Sequence, residues 1–304
     1  MTTGYRHPLY AQSFAAFGRP VACPDAGAHL LARPIPGGGE DLSGPYPMLF
    51  AGRLDRLEGD LARLTRAPGG PVSVVFVLDP FAGDPSDALP GFDLVRPFKT
   101  HFLTRLDRPW DEIASKHHRY HARRCARTLR AAPVADPASR ADIFWSFFET
   151  LIRRRGLSGM SALSPEIVRA HLALPGVDLI EASDDGGPVA AGIWCRVGTV
   201  AYSHLQAMSP AGYAKDAGYA LHRAALEHFR GRVEWLDLGG MAGTVDNPED
   251  GLYRFKKGWA TDARPSWLCG RILDRPRYAE LVRRTGTRGA AFFPAYRAPR
   301  GEGA

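Results

Sequence analysis

The sequence predicts an α+β or α/β chain of two domains, each a mixed, largely antiparallel sheet flanked by helices. Three observations carry this. Three strand patterns, "GVDLIEAS", "GPVAAGIWCRVG" and "TVAYSHLQAM", follow one another, separated by "DDGG" and by Gly198, turns that suit hairpins. A helical pattern, "KDAGYALHRAALEHFRG", then leads to a further strand, "VEWLDL", so a crossover follows the hairpins. The stretch "AAPVADPAS" breaks a helix with two prolines and places the boundary between a 1–135 and a 136–304 domain. The length of 304 residues allows two domains, and 45% hydrophobic residues suffice for a substantial core.

The remaining elements follow from local pattern. A short helix near 8–17 precedes the strand "AHLLARPI", and "PGGGEDLSGPYP" reads as a turn. Leu54, Leu57, Leu61 and Leu64 recur at helical spacing, and "PVSVVFVLD" is a buried strand by its β-branched run. "FDLVRP" and "THFLTRL" read as two more strands. A long basic helix, "PWDEIASKHHRYHARRCARTLR", opens at Asp107 or Pro109. Helices over "RADIFWSFFETLIRRRG" and "SPEIVRAHLAL" precede the hairpins. Asn247 and Pro248 start a helix of about three turns that Gly258 ends. A strand, "SWLCGRIL", and a helix, "RPRYAELVRR", close the chain.

The net charge of +7 and pI near 9.4 favour polyanionic partners. Cys23, Cys125, Cys195 and Cys269 are far apart and form no CxxC pair, which argues against a zinc site or a disulfide frame. No charge-free apolar run reaches the length of a membrane helix, and the first residues lack a signal-peptide core. The expectation is a cytoplasmic protein with room for peripheral contact with the inner membrane.

Two motifs point to chemistry. Lys215, Gly218 and Ala220 fit the spacing Gln/Arg-x-x-Gly-x-Gly/Ala at a helix start, where free N–H groups attract anions. The loop resembles the one with which GNAT acyltransferases cradle the pyrophosphate of coenzyme A. Its plain reading is an ordinary helix start with a small-residue face. The second motif is "LYRFKKGWA", which holds two of the chain's five lysines. It resembles the "FK-x-G-(aromatic)-G" signature of the Fem family, the peptidoglycan bridge aminoacyl-ligases and their FemAB-like relatives. "GPYPMLF", "HRYHARRCARTLR" and "GPVAAGIWCRVGTVAYSHLQAM" resemble, in order, that family's aromatic stretch, its arginine-rich joining helix and its second-domain hairpin. The resemblance runs from about His7 to about Leu281. The family's coiled-coil insertion is absent, and Ala260 stands where the signature has Gly.

The resemblance implies two GNAT-type domains and an acyltransferase with a cell-envelope or metabolite acceptor. It implies aminoacyl-tRNA or acyl-CoA as co-substrate, no tightly bound cofactor, and an amine acceptor; the basic helix over His117–Arg130 suits phosphate-bearing partners, the acceptor among them. It places Lys256 at the acyl-transfer centre, where an ammonium stabilises charge growing on a carbonyl oxygen. Lys257, about 100° away on the helix, is expected in solvent, and Lys256 is expected to border a cleft. Asp237, at a strand end, orients or deprotonates an amine, or else caps the turn before Gly239. Tyr253 donates a proton to a leaving group, or is a half-buried aromatic. Tyr202, His204, Phe255, Arg123 and Arg124 are expected to line the substrate cleft, with a packed core histidine as the plainer reading of His204. His117, His118 and His121 have a spacing open to a metal, but with five neighbouring arginines they read better as one basic helix face. Attack is expected to be direct, since no Ser/Cys–His–Asp set is visible. The rival reading is an RNA-binding module with a catalytically disabled GNAT core.

Overall fold

The computed structural model describes residues 2–241 and 247–299. In chain order the elements are α1 (Pro8–Ser13), β1 (Arg19–Cys23), β2 (Ala28–Pro34), β3 (Glu40–Ser43), α2 (Leu57–Arg66), β4 (Ser73–Leu78) and β5 (Leu94–Arg105). Then come α3 (Trp110–Ile113), α4 (Lys116–Cys125), β6 (Arg130–Pro133), α5 (Ala141–Arg155), α6 (Pro165–Leu172), β7 (Val177–Asp184), β8 (Gly187–Val197) and β9 (Val200–Met208). The last are α7 (Pro210–Ala214), α8 (Ala217–Phe229), β10 (Trp235–Asp237), α9 (Gly251–Lys257), β11 (Asp262–Ile272) and α10 (Arg275–Thr285).

The chain forms two compact units, and neither is continuous in sequence. One takes residues 1–13 and 99–265, the other 14–98 and 266–304. The expected divide at residue 135 is therefore not where the units part. The prolines that suggested it do other work: Pro133 ends strand β6, which pairs antiparallel with β7, and Pro137 opens a short 3-10 turn capped by Asp136.

In the 14–98/266–304 unit the strands run β1-β2-β3-β4-β11. The β3/β4 pair is parallel and the other pairs are antiparallel. β3 falls in the stretch read as a turn, where Leu42 supplies a buried side chain. Leu57 and Leu61 of α2 drop into the core of this unit with Leu30, Val74 and Phe76. Asp41 is buried and fully used. It accepts from Arg297 through both oxygens (2.5 and 2.8 Å) and from the Tyr296 hydroxyl (2.9 Å).

In the 1–13/99–265 unit the order is β5-β10-β9-β8-β7-β6. The meander β7-β8-β9 is antiparallel, β10 lies parallel to β9, and β5 runs antiparallel to β10. The hairpins and the crossover through α8 agree with the sequence pattern. "FDLVRP" and "THFLTRL" are one strand, β5, rather than two. The long basic helix is broken. Ser115 caps α4 by accepting from His118 N, so α3 and α4 are separate, and α4 stops at Cys125. Alternation along β5 sends Phe102 to the α4/α8 core with Leu236 and Trp259, and its neighbour His101 the other way.

Candidate functional site

Strand β10 is short, and its end is where charge collects. It pairs with β9 only from Trp235–Val200 to Asp237–Tyr202, while β9 continues to Met208. Beyond Asp237 the chain stays with β5: Leu238 N donates to Phe102 O (2.8 Å), and Phe102 N donates to Gly239 O (3.4 Å). The two parallel strands thus part at Asp237, in the position where open sheets bind ligands. Gly239 turns the chain with φ +77°, which only glycine adopts without strain.

Lys256 reaches this turn from α9, and its ammonium donates to Gly240 O. Burial lowers its pKa from 10.5 to about 8; Asp237 works against that shift and Lys99 adds to it. Lys99 donates to Met241 O (3.2 Å). Asp237 is 1% exposed and accepts from Gly239 N (2.7 Å), so it does cap the turn. It also accepts from His101 Nδ1–H, at 2.8 and 3.0 Å to its two oxygens. Its oxygens are engaged, and its route to a substrate runs through His101. Sequence reading missed His101 and Lys99. Their one signal is the i, i+2 placement of Lys and His in "FKTHFL" on β5.

The helix carrying Lys256 differs from expectation in its start. Asp250 caps it by accepting from Leu252 N (2.6 Å), and it has two turns, not three. Asn247 instead closes a small turn onto Glu249 N (3.0 Å). Lys257 is exposed and Lys256 half-buried. The far end of α9 is clamped by the start of α4. Ser115 N donates to Gly258 O (2.9 Å), and His118 Nε2–H donates to Phe255 O (2.8 Å). His118 Nδ1 then accepts from the Ser115 hydroxyl (2.8 Å), and burial lowers its pKa. A Cβ on Gly258 would lie 1.9 Å from His118 Cε1. Gly258 has an ordinary φ of −71°, so its role is close approach and not a left-handed cap.

Phe255 and Trp259 continue inward against His222 of α8, whose ring stacks on Trp259 at 5.8 Å. His222 donates from Nδ1 to Gly218 O (3.0 Å), and burial drops its pKa to about 3, with Lys256 and His118 as smaller contributors. Tyr253 is the half-buried aromatic of the plainer reading, edge-on to Phe102 at 4.9 Å.

Tyr202 stands beside Asp237 in the β9/β10 register, on the same face of the sheet. The other expected site residues have partners of their own. His204 sits in a hydrogen-bonded chain with Tyr5 (3.0 Å) and His171 (3.0 Å), and Tyr202 packs edge-on to Tyr5. Burial drops the His204 pKa to about 3. Arg123 and Arg124 are exposed on α4. Arg124 and His121 pair with Asp216, and Arg123 lies over Trp110. Lys215 is taken by Asp184 (2.5 Å), Gly218 packs near Phe255, and Ala220 faces the core. The start of α8 is therefore not an open anion cradle. Asp216, with φ +56°, puts a carboxylate there. Among the described residues no group of three His, Cys, Asp or Glu is placed to hold a metal ion.

This arrangement is a parted pair of parallel strands with a desolvated lysine at the gap. Residues 116–257 match the family model described as acetyltransferase (GNAT) domain. That segment carries α4, the β7–β9 meander, α8, β10 and α9. Likeness in fold to solved structures extends along most of the chain. FemX matches with TM-score 0.67 at 14% identity, over 90% of this chain and 92% of that one. The C-terminal domain of a protein designated a lysylphosphatidylglycerol synthetase, from Agrobacterium fabrum, gives 0.59 at 15%, over 91% and 93%. L-PGS from Bacillus licheniformis gives 0.57 at 14%, over 92% and 97%. No curated protein matches the sequence. The fold is thus FemAB-like, as the motifs implied. No helix among the described residues is long and apolar enough to cross a membrane.

Proposed function

We propose that the GNAT segment moves an aminoacyl or acyl group from an activated ester to an amine acceptor by direct attack. The observation that carries the reading is Lys256, a desolvated ammonium fixed at the gap where β9 and β10 part. A positive charge held there, with its partners already in place, stabilises an oxyanion without reorganisation. Phe255 and Trp259 set its direction.

Between the two donors, aminoacyl-tRNA is favoured over acyl-CoA. A coenzyme A pyrophosphate at the start of α8 would meet the Asp216 carboxylate, and Lys215 is already paired. Basic surface lies instead along α4. Lys116, Arg119, Tyr120, Arg123, Arg124 and Arg127 line an open groove of about 540 Å³. Such surfaces follow a phosphate backbone, and exposed Tyr120 offers a ring for a base to stack on. In this reading the RNA-binding surface serves the transfer reaction and is not a separate function. The acceptor is a phosphate-bearing amine of cell-envelope or metabolite origin.

The test is transfer by purified protein from alanyl-tRNA or acetyl-CoA to a panel of amines. The expected result is transfer from the tRNA ester that Lys256→Ala removes. Transfer from neither donor, or full activity in Lys256→Ala, would contradict the proposal.

A further inference from the structure

His101 has one nitrogen committed and, among the described residues, one without a hydrogen bond. Nδ1–H is held by both oxygens of buried Asp237, which fixes the ring and its tautomer and leaves the Nε2 lone pair as the acceptor. Among the described residues Nε2 makes no hydrogen bond. The ring edge carrying Nε2 lies along the Gly239–Gly240 turn: a Cβ on Gly240 would be 3.3 Å from His101 Cδ2. On the same turn, a Cβ on Gly239 would be 3.3 Å from Lys256 Nζ. The two glycines thus leave the imidazole and the ammonium close to one point on the backbone. They come from opposite faces. Leu236 and Phe102 point into the α4/α8 core, so Asp237 and His101 point away from it, whereas Lys256 arrives from α9 on the core side. β9 and the 238–239 stretch part between them.

From this placement we infer that His101, oriented by Asp237, is the general base that takes the proton of the acceptor amine. The inference rests on the acyl-transfer reading of Lys256. The amine nitrogen attacks the ester carbonyl carbon, and the C–N bond forms. The carbonyl π pair moves to oxygen beside Lys256, and the amine proton passes to His101 Nε2. Collapse of the adduct breaks the bond to the leaving oxygen, which takes the proton back from His101. Donor and acceptor then approach from the two faces of the sheet.

The experiment uses the full chain with alanyl-tRNA as donor and two acceptors, ethylamine and hydroxylamine. Ethylamine is an ammonium at neutral pH and must give up one proton to the base before it attacks, besides the proton its adduct loses, whereas hydroxylamine is already unprotonated and loses only the latter. His101→Gln is expected to slow transfer to ethylamine by about 10²-fold or more, and transfer to hydroxylamine by less than about tenfold. His101→Ala with added imidazole is expected to regain transfer to ethylamine, and Asp237→Asn to show the same acceptor split as His101→Gln. Equal loss toward both acceptors, no loss, or no imidazole rescue would overturn the base while leaving Lys256 in place. A parent protein that transfers to neither acceptor would overturn the acyl-transfer reading, and this inference with it.

Discussion

His101 and His204 are both strand histidines of the same unit, and each is 7% exposed. Their surroundings differ in one respect. The His204 cluster is closed. The Ser13 hydroxyl donates to Tyr10 O (2.6 Å), so it accepts from His171 Nε2–H (2.8 Å). His171 Nδ1 then accepts from His204 Nε2–H, and His204 Nδ1 accepts from the Tyr5 hydroxyl. Every ring nitrogen in that chain has a partner, and both rings are neutral. In the His101 cluster Nε2 makes no hydrogen bond among the described residues, and the charge of Lys256 has been stripped of water. Full satisfaction ties α1 and α6 to β9 and fixes the fold. Partial satisfaction leaves groups able to exchange protons. Burial alone does not tell a catalytic histidine from a structural one; the inventory of partners does.

The comparison is sharpened most by changing Lys256. Lys256→Met should lower turnover by about 10²-fold or more through loss of the oxyanion partner. It should also raise the melting temperature, because it removes a desolvated cation. Lys256→Arg should restore little, since a planar fork does not replace a point charge. A variant that loses stability along with activity would place Lys256 among the structural groups.

Next is the α4–α9 clamp. Gly258→Ala drives a methyl into the His118 ring and should cost about 1–3 kcal/mol, read by denaturant unfolding. Its turnover should fall more than its stability, because the displaced α9 carries Lys256. A normal turnover in Gly258→Ala would show that α9 is not held from α4.

The two clusters should also titrate apart. The Lys256 pKa is lowered to about 8, so the native ammonium is lost as pH rises through that value, and turnover should fall above about pH 8. Between there and its ordinary value near 10.5 the unfolded chain holds more protons than the native one, so this group's contribution to stability rises with pH. The His204 pKa is lowered to about 3 from 6.5. Below about 6.5 the unfolded chain binds a proton that the native chain refuses, and stability falls as pH drops toward 3. A His204→Gln protein with the same acid slope as the parent would contradict this. The smallest effect is expected on the surface. Lys257→Ala and Lys215→Ala should change turnover less than about twofold and stability by under about 1 kcal/mol, since both lysines are exposed.

Much of this was legible in sequence where a local rule decides. The glycine turns gave the hairpins, and helical geometry set the divergence of Lys256 from Lys257. Other features depend on partners far along the chain. Asp237 was visible at its strand end, but the side chain that engages it lies 136 residues away on β5. His204 looked like a cleft residue because its partners, Tyr5 and His171, share no motif with it. Asn247 and Asp250 are both good caps, and only the fold shows which one starts α9. The two compact units share no single sequence boundary, so a proline-rich break could not mark one.

The division between the two clusters is tested most directly by one paired measurement: turnover per folded molecule and melting temperature, taken together for Lys256→Ala and His204→Gln. The expected result is a crossing. Lys256→Ala loses acyl transfer and keeps or raises its melting temperature. His204→Gln melts about 4–8 °C lower, as expected for about 2 kcal/mol of unsatisfied buried polar groups, and transfers normally when folded. A His204→Gln protein that is stable but inactive, or a Lys256→Ala protein that is unstable but active, would contradict the division between the closed cluster and the open one.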